Sequence, residues 1–323
     1  MMIAYWRVAR LALPAVLAIG VLVPRAAAED WAEPKFDPAI GSVWTIQREL
    51  NVQKVEGGIM VSHTLKETAL LTVAEKTADG FVMTYVRQSS SYDGDPAGAA
   101  GQRLAFEAQQ GVVIRIAADA AGKPLRIENF AEVKAALKNS AEAQPATTAN
   151  PEILAAARRL GERLLAVDDK RAAELFLDPL PMLAVAQNTG LKPGEMRKST
   201  LPVANALVDG ITKTLTLSVA RTNQDAGSVR YLMTETYDAD SMKALVSEAA
   251  KQMAVANVSA GTVDQAVKSA EVASVSRAQF DVAGGMTREL RRQSVTSLRF
   301  TGSRSVATED ELVTVTPADI PMN

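Results

Sequence analysis

From Gly41 onward the chain alternates between apolar and polar residues. Trp44, Ile46, Leu50 and Val52 are apolar, while Thr45, Gln47, Glu49 and Asn51 between them are polar. A period of two over 43–52 predicts a half-buried strand. Glu56-Gly57-Gly58 is a turn signal, and the next strand carries Ile59, Val61, Leu65, Ala69, Leu71 and Val73 on its odd face. Ala78-Asp79-Gly80 turns the chain into a third strand over 81–88. Long strands joined by tight glycine turns predict an antiparallel meander. A polar loop over 89–101 follows. Shorter strands are expected over 103–108 and 112–117, hinged at Gln109-Gln110-Gly111, and Ala121-Gly122-Lys123-Pro124 turns the chain into Leu125-Arg126-Ile127.

The period then lengthens to 3.6. Asn129 with Glu132 three residues on is a capping pair, and Phe130, Val133 and Leu137 mark one helical face. Asn150-Pro151-Glu152 is a second helix start, with Ile153, Leu154, Ala157, Leu160 and Leu164 inward. Short helices are expected over 170–176 and 179–187, ended by Asn188-Thr189-Gly190. Strand character returns with Ile211, Leu215, Leu217 and Val219 on one face, followed by a turn at Asp225-Ala226-Gly227 and a strand over 228–237. Ser241 is read as the cap of a helix with Met242, Leu245, Val246, Ala249 and Met253 on one stripe. Asp238 and Asp240 then supply negative charge at its N-terminus. A hairpin about Ala283-Gly284-Gly285 and strands over 286–300 and 312–316 close the chain.

Ahead of these elements, Arg7 and Arg10 precede an apolar run over 11–23, closed by Pro24-Arg25 and Ala26-Ala27-Ala28. That order is a secretory signal, and about 13 apolar residues fall short of the ~20 that a membrane span needs. Residues 1–28 are therefore expected to be cleaved, leaving 29–323 as a single domain in the periplasm, or outside the cell, with no transmembrane span. Two similar halves, about 41–143 and 194–323, are a further expectation. There is no cysteine, which excludes disulfides and lipid attachment through a cysteine. Three arginines and no acid leave with the signal, so the net charge falls from −2 to −5. An acidic chain with scattered charges has no basic face for nucleic acid.

Motifs for chemistry are sparse. No Gly-x-Ser-x-Gly, Ser-x-x-Lys or glycine-rich phosphate loop occurs. No catalytic residue, metal site or cofactor is assigned. His63, the one histidine, lies on an apolar face between Val61 and Leu65. It suits a proton-transfer group or pH switch, or equally a core histidine with a satisfied hydrogen bond. Glu67 shares that face but is four residues away, roughly 13 Å along a strand. Asp93-Gly94-Asp95 reads as a plain turn. The basic concentration Arg288, Arg291, Arg292, Arg299 and Arg304 suits either an anionic headgroup or a solvated strand. Arg288 and Arg292 are expected on the face of Met286 and Leu290. Met60, Met83 and Met233 along the strands suit either pliable pocket walls or an ordinary core.

Gly41-Ser42-Val43-Trp44, the Asp79-Gly80 turn, Gly122-Lys123-Pro124-Leu125 before the Asn129 helix, and Gly284-Gly285 before Arg288-Glu289 resemble an uncharacterised bacterial family of exported proteins. In architecture the chain also resembles the periplasmic lipoprotein carriers, which implies a curved sheet and a helical lid. The sequence thus predicts an α+β fold: a large curved, half-barrel-like antiparallel sheet with amphipathic helices on its apolar, concave face. The expected function is non-catalytic binding or carriage of an apolar or amphipathic envelope ligand, with His63, Met60, Met83, Met233, Arg288 and Arg292 as candidate contacts. The alternatives are an envelope scaffold that binds other proteins and a carboxylate-based hydrolase.

Overall fold

The computed structural model describes residues 32–56, 58–94, 109–143, 162, 165–203, 211–223, 227–253, 267–300 and 303–318. Its alternating segments form one open antiparallel sheet of eleven strands. The first five are β1 (Val43–Glu56), β2 (Ile59–Lys76), β3 (Gly80–Gly94), β4 (Val113–Asp119) and β5 (Pro124–Ile127). The others are β6 (Met196–Pro202), β7 (Thr212–Asn223), β8 (Ser228–Tyr237), β9 (Glu271–Ala283), β10 (Met286–Phe300) and β11 (Ser303–Pro317). Their spatial order is β5-β4-β3-β2-β1-β11-β10-β9-β8-β7-β6. The first five strands therefore run from the centre to one edge, and the last six return from the other edge to the centre. There β1 and β11 pair from Trp44↔Pro317 to Glu56↔Ser305. The two halves proposed from sequence thus cross the sheet in opposite directions, and α4 (Ala239–Met253) interrupts only the second.

One face of the sheet holds the core. Trp44, Ile46, Ala69, Leu71, Met83, Tyr85, Ile114 and Ile116 cover its first half. Leu215, Leu217, Tyr231, Met233, Phe280, Leu290, Val313 and Val315 cover the second. Helices α1 (Phe130–Ala143), α2 (Asp169–Phe176) and α3 (Leu180–Ala184) close this face. Phe130, Val133, Phe176, Leu177, Leu180 and Leu183 are all buried against it. Each contributes about 1.5–3 kcal/mol as apolar surface leaves water. Thr287 Oγ1 donates to the Leu183 carbonyl at 2.7 Å and fixes α3 over β10. A smaller apolar cluster of Met242, Ala270 and Val272, joined by Leu245, Val246 and Leu298, seats α4 on β9. Among the described residues no helix is long and apolar enough to cross a membrane.

The lead-in before β1 is part of the core. Phe36 packs on Trp44 and Phe81, with ring centroids 6.2 and 5.3 Å away. The Glu33 carboxylate accepts hydrogen bonds from the Thr189 amide and hydroxyl, the Gly190 amide and Tyr231 Oη, at 2.6 to 2.8 Å. Desolvation opposes its ionisation, but these four donors outweigh it and hold the carboxyl below its usual pKa. A depressed carboxylate contributes stability above the unfolded value, near 4.3, and loses it as pH falls through the lower folded value. Glu33→Gln should therefore lower the urea midpoint by a constant amount above about pH 5.3. The deficit should shrink progressively below about pH 4.3. A deficit that does not change with pH would mean that the charge of Glu33 contributes nothing.

Several local expectations are corrected. β3 continues through Gly94 where a loop was expected from 89, because 89–94 pair with His63 to Thr68 of β2. β11 begins at Ser303 instead of 312, its polar first half held between β1 and β10. The N-cap of α4 is Asp238, whose carboxylate accepts the Ser241 amide at 2.8 Å, so Ser241 lies inside the helix. Asn129 spends its side-chain oxygen on the Arg115 amide and its nitrogen on the Val113 carbonyl, tying α1 to β4 more than capping it. The expected strand at 103–108 and most of the helix begun at Asn150 lie outside the described residues.

Candidate functional site

Alternation places charged side chains at inward positions as well as apolar ones. Arg48 of β1, Glu67 of β2, Arg87 of β3 and Glu311 of β11 are all 5% exposed or less. Arg48 Nε donates to Glu311 at 2.6 Å, and its Nη2 lies 2.5 Å from Asp178, in the link between α2 and α3. Glu67 accepts from Arg87 and from Tyr85 Oη, and Arg87 also donates to Gln109 at 2.5 Å. Arg292 of β10 completes the layer on Glu311 at 2.8 Å. Three guanidinium groups thus meet three carboxylates. Burial opposes the Arg48 charge, but Asp178, Glu311 and Glu67 outweigh it and raise its pKa. Burial and the neighbouring Glu67 push the Tyr85 phenol up. The layer ties β1, β2, β3, β10 and β11 to the helical segment, and it meets solvent at Asp178, whose side chain is 46% exposed.

The opposite face of the sheet carries a trough of about 560 Å³. Twisted sheets are saddle-shaped, so a trough runs along one diagonal of a face even where the other face is filled. Two adjacent cross-strand rows line it. The first reads Glu49, Leu312, Arg291, Gln279, Leu232 across β1, β11, β10, β9 and β8. The second reads Asn51, Asp310, Gln293, Arg277, Thr234 over the same strands. Four strand spacings give a length of about 19 Å. The acids lie at the β1–β11 end and the arginines at the β10–β9 end, with Leu312 36% and Leu232 46% exposed. Val275 and Val295 continue the apolar floor one row further.

The six candidate contacts scatter. Met83 and Met233 are buried core residues, and Met60 is 66% exposed at the β1–β2 tip. Its even position in β2 places Met60 on the outward face, apart from the residues that line the trough. Met233 and Arg292 border the trough, but alternation turns their side chains to the other face, so they supply main chain. Arg288 is the extra residue of a bulge between Thr287 and Glu289. Its Nη1 is enclosed with no hydrogen-bond acceptor among the described residues, and desolvation lowers its pKa. His63 lies opposite Val52 and Gly94 with its ring 5.2 Å from that of Tyr92. Its Nε2 is enclosed without a hydrogen-bond partner among the described residues. The carboxylates converge on Arg48 and not on His63. Sequence reasoning missed both the charged layer and the trough. The layer had a signal, a charged residue in phase with the apolar ones at 48, 67, 87 and 311. The trough had none, because its rows are ordinary outward positions until strand pairing aligns them.

No family model and no curated protein matches the chain. Among solved structures, lipovitellin, studied for its lipid–protein interactions, superposes with a TM-score of 0.40 and 10% identity over 89% of this chain. The chain spans 26% of the length of that lipovitellin chain. OpdQ of Pseudomonas aeruginosa gives a TM-score of 0.26 and 6% identity, covering 87% of this chain and 100% of that one. An outer membrane channel from Pseudomonas putida F1 gives 0.22 and 8%, covering 89% and 99%. The class defined by the fold is α+β with one large, open, curved antiparallel sheet.

Proposed function

We propose that this is an exported binding or carrier protein for an amphipathic ligand of the cell envelope. The trough carries this reading. Its volume of about 560 Å³ lies within the ~300–1,000 Å³ of small-molecule sites. It combines exposed leucines with a small number of charged and amide side chains, the mixture that a ligand with an apolar chain and a polar head requires. Among the described residues, helices α1, α2 and α3 pack on the apolar face, and the trough lies on the other. The leader at 1–28 supports an envelope location.

Native mass spectrometry of gently purified protein, with titration of a fluorescent twelve-carbon probe, tests the reading. Bound mass or probe uptake is expected. Leu232→Trp fills the floor from an exposed position, so it should weaken uptake by about tenfold, ~1.4 kcal/mol, with little change in thermal midpoint. A ligand-free mass together with no uptake would sink the proposal.

A further inference from the structure

The charges in the trough are not equally occupied. Glu49 is held by Lys66 Nζ at 3.3 Å and Asn51 Nδ2 at 3.4 Å. Asp310 accepts from Gln293 Nε2 at 2.8 Å. Both acids therefore have hydrogen-bond donors within the chain. At the other end, Arg277 makes no hydrogen bond or ion pair among the described residues. Arg291 pairs through Nε with Glu289 at 2.6 Å, and its terminal nitrogens have no acceptor among the described residues.

The pairings Arg291↔Gln279 and Gln293↔Arg277 make the two arginines diagonal neighbours across β10 and β9. Diagonal neighbours lie about 7–8 Å apart at Cα, within reach of two long side chains closing on one anion. A guanidinium presents a planar fork of donors that matches a carboxylate or phosphate. Val275 flanks Arg277 two residues along β9, Val295 lies opposite Val275 on β10, and Leu232 lies opposite Gln279 on β8. All three are exposed. At Arg277, positive charge without a partner among the described residues thus sits beside an apolar floor.

We infer that the ligand is a single-chain amphiphile with an anionic head, a fatty acid or an alkyl phosphate. Its head is held between Arg277 and Arg291, and its chain lies over Leu232 and the Val275–Val295 pair. This inference rests on the trough being the binding site. A neutral head would leave the Arg277 guanidinium and the terminal nitrogens of Arg291 without an acceptor among the described residues. A cationic head would meet them directly and find the acids already engaged.

Binding of laurate, dodecyl phosphate, dodecylphosphocholine, monolaurin and dodecylammonium to the mature protein, each below its micellar concentration, decides the matter. Laurate and dodecyl phosphate should bind about tenfold or more tighter than the other three, and the preference should fall as salt screens it. Exposed Arg277→Gln with Arg291→Gln should abolish the preference and leave monolaurin binding unchanged. Comparable affinities for anionic and neutral probes, tighter binding of the zwitterion or the cation, or a preference that survives in the double variant would overturn the inference. In those cases, monolaurin binding blocked by Leu232→Trp would still leave the trough as the site. No binding of any probe would remove the site and this inference together.

Discussion

Glu67→Ala should lower the free energy of unfolding by about 3–5 kcal/mol, the range for removing one partner of a buried ion pair. The residue to watch is Arg87, whose side chain is 2% exposed. Glu67 forms an ion pair with Arg87, which also donates to the neutral Gln109. Tyr85 Oη loses its acceptor in the same change. Arg48 is less affected, since Asp178 and Glu311 remain on it. A double variant, Glu67→Met with Arg87→Met, removes both charges and fills the space with apolar atoms. It should be more stable than Glu67→Ala alone, because truncating one partner of a buried ion pair costs more than replacing both by apolar groups of similar volume. Urea unfolding of the parent and the two variants measures both effects. A loss below about 1 kcal/mol for Glu67→Ala would place these groups in contact with water.

The second large effect is expected at the turn between β9 and β10. Gly284 and Gly285 have φ of 58° and 75°, the two positive values of a type I′ hairpin. Gly284 has open space where a side chain would begin, so Gly284→Ala should cost only the conformational penalty, about 1–2 kcal/mol. At Gly285 an added Cβ would stand 1.9 Å from the Lys35 carbonyl oxygen and 2.4 Å from the Phe36 amide nitrogen. Those are backbone atoms of the lead-in and have no rotamer to change. Gly285→Ala should therefore add roughly 1–3 kcal/mol to the same conformational penalty. It should also free the segment around Phe36, raising amide exchange there and at Thr189 and Gly190, which bind Glu33. Equal losses at the two glycines would show that the lead-in is not packed on the turn.

The elements were legible wherever burial has a simple period. Trp44 and Ile46 against Thr45 and Gln47, or Leu215 and Leu217 against Thr214 and Thr216, show which face is inward without any partner strand. Strand ends were not legible, because pairing alone supports them. Residues 89–94 and 303–311 are mostly polar, and they are strands because β2, β1 and β10 offer them hydrogen bonds. Caps were misread where a side chain had a second use, as Asn129 does on β4. The trough required knowing that β1, β11, β10, β9 and β8 are neighbours. That order joins residues more than 260 positions apart, such as Glu49 and Leu312. Local periodicity carries no information at that distance.

The pairing of β1 with β11 also sets the order in which the molecule can be made. As the chain grows, β1 to β5 can form a meander, but β1 keeps one bare hydrogen-bonding edge until β11 arrives, at Ser303–Pro317. Contacts between the two ends of a chain are slow to form, and a long bare edge invites pairing with other molecules. No stretch short of almost the whole sequence can complete the sheet. A nascent chain of this design therefore carries β1 half-paired through the synthesis of every strand between it and β11.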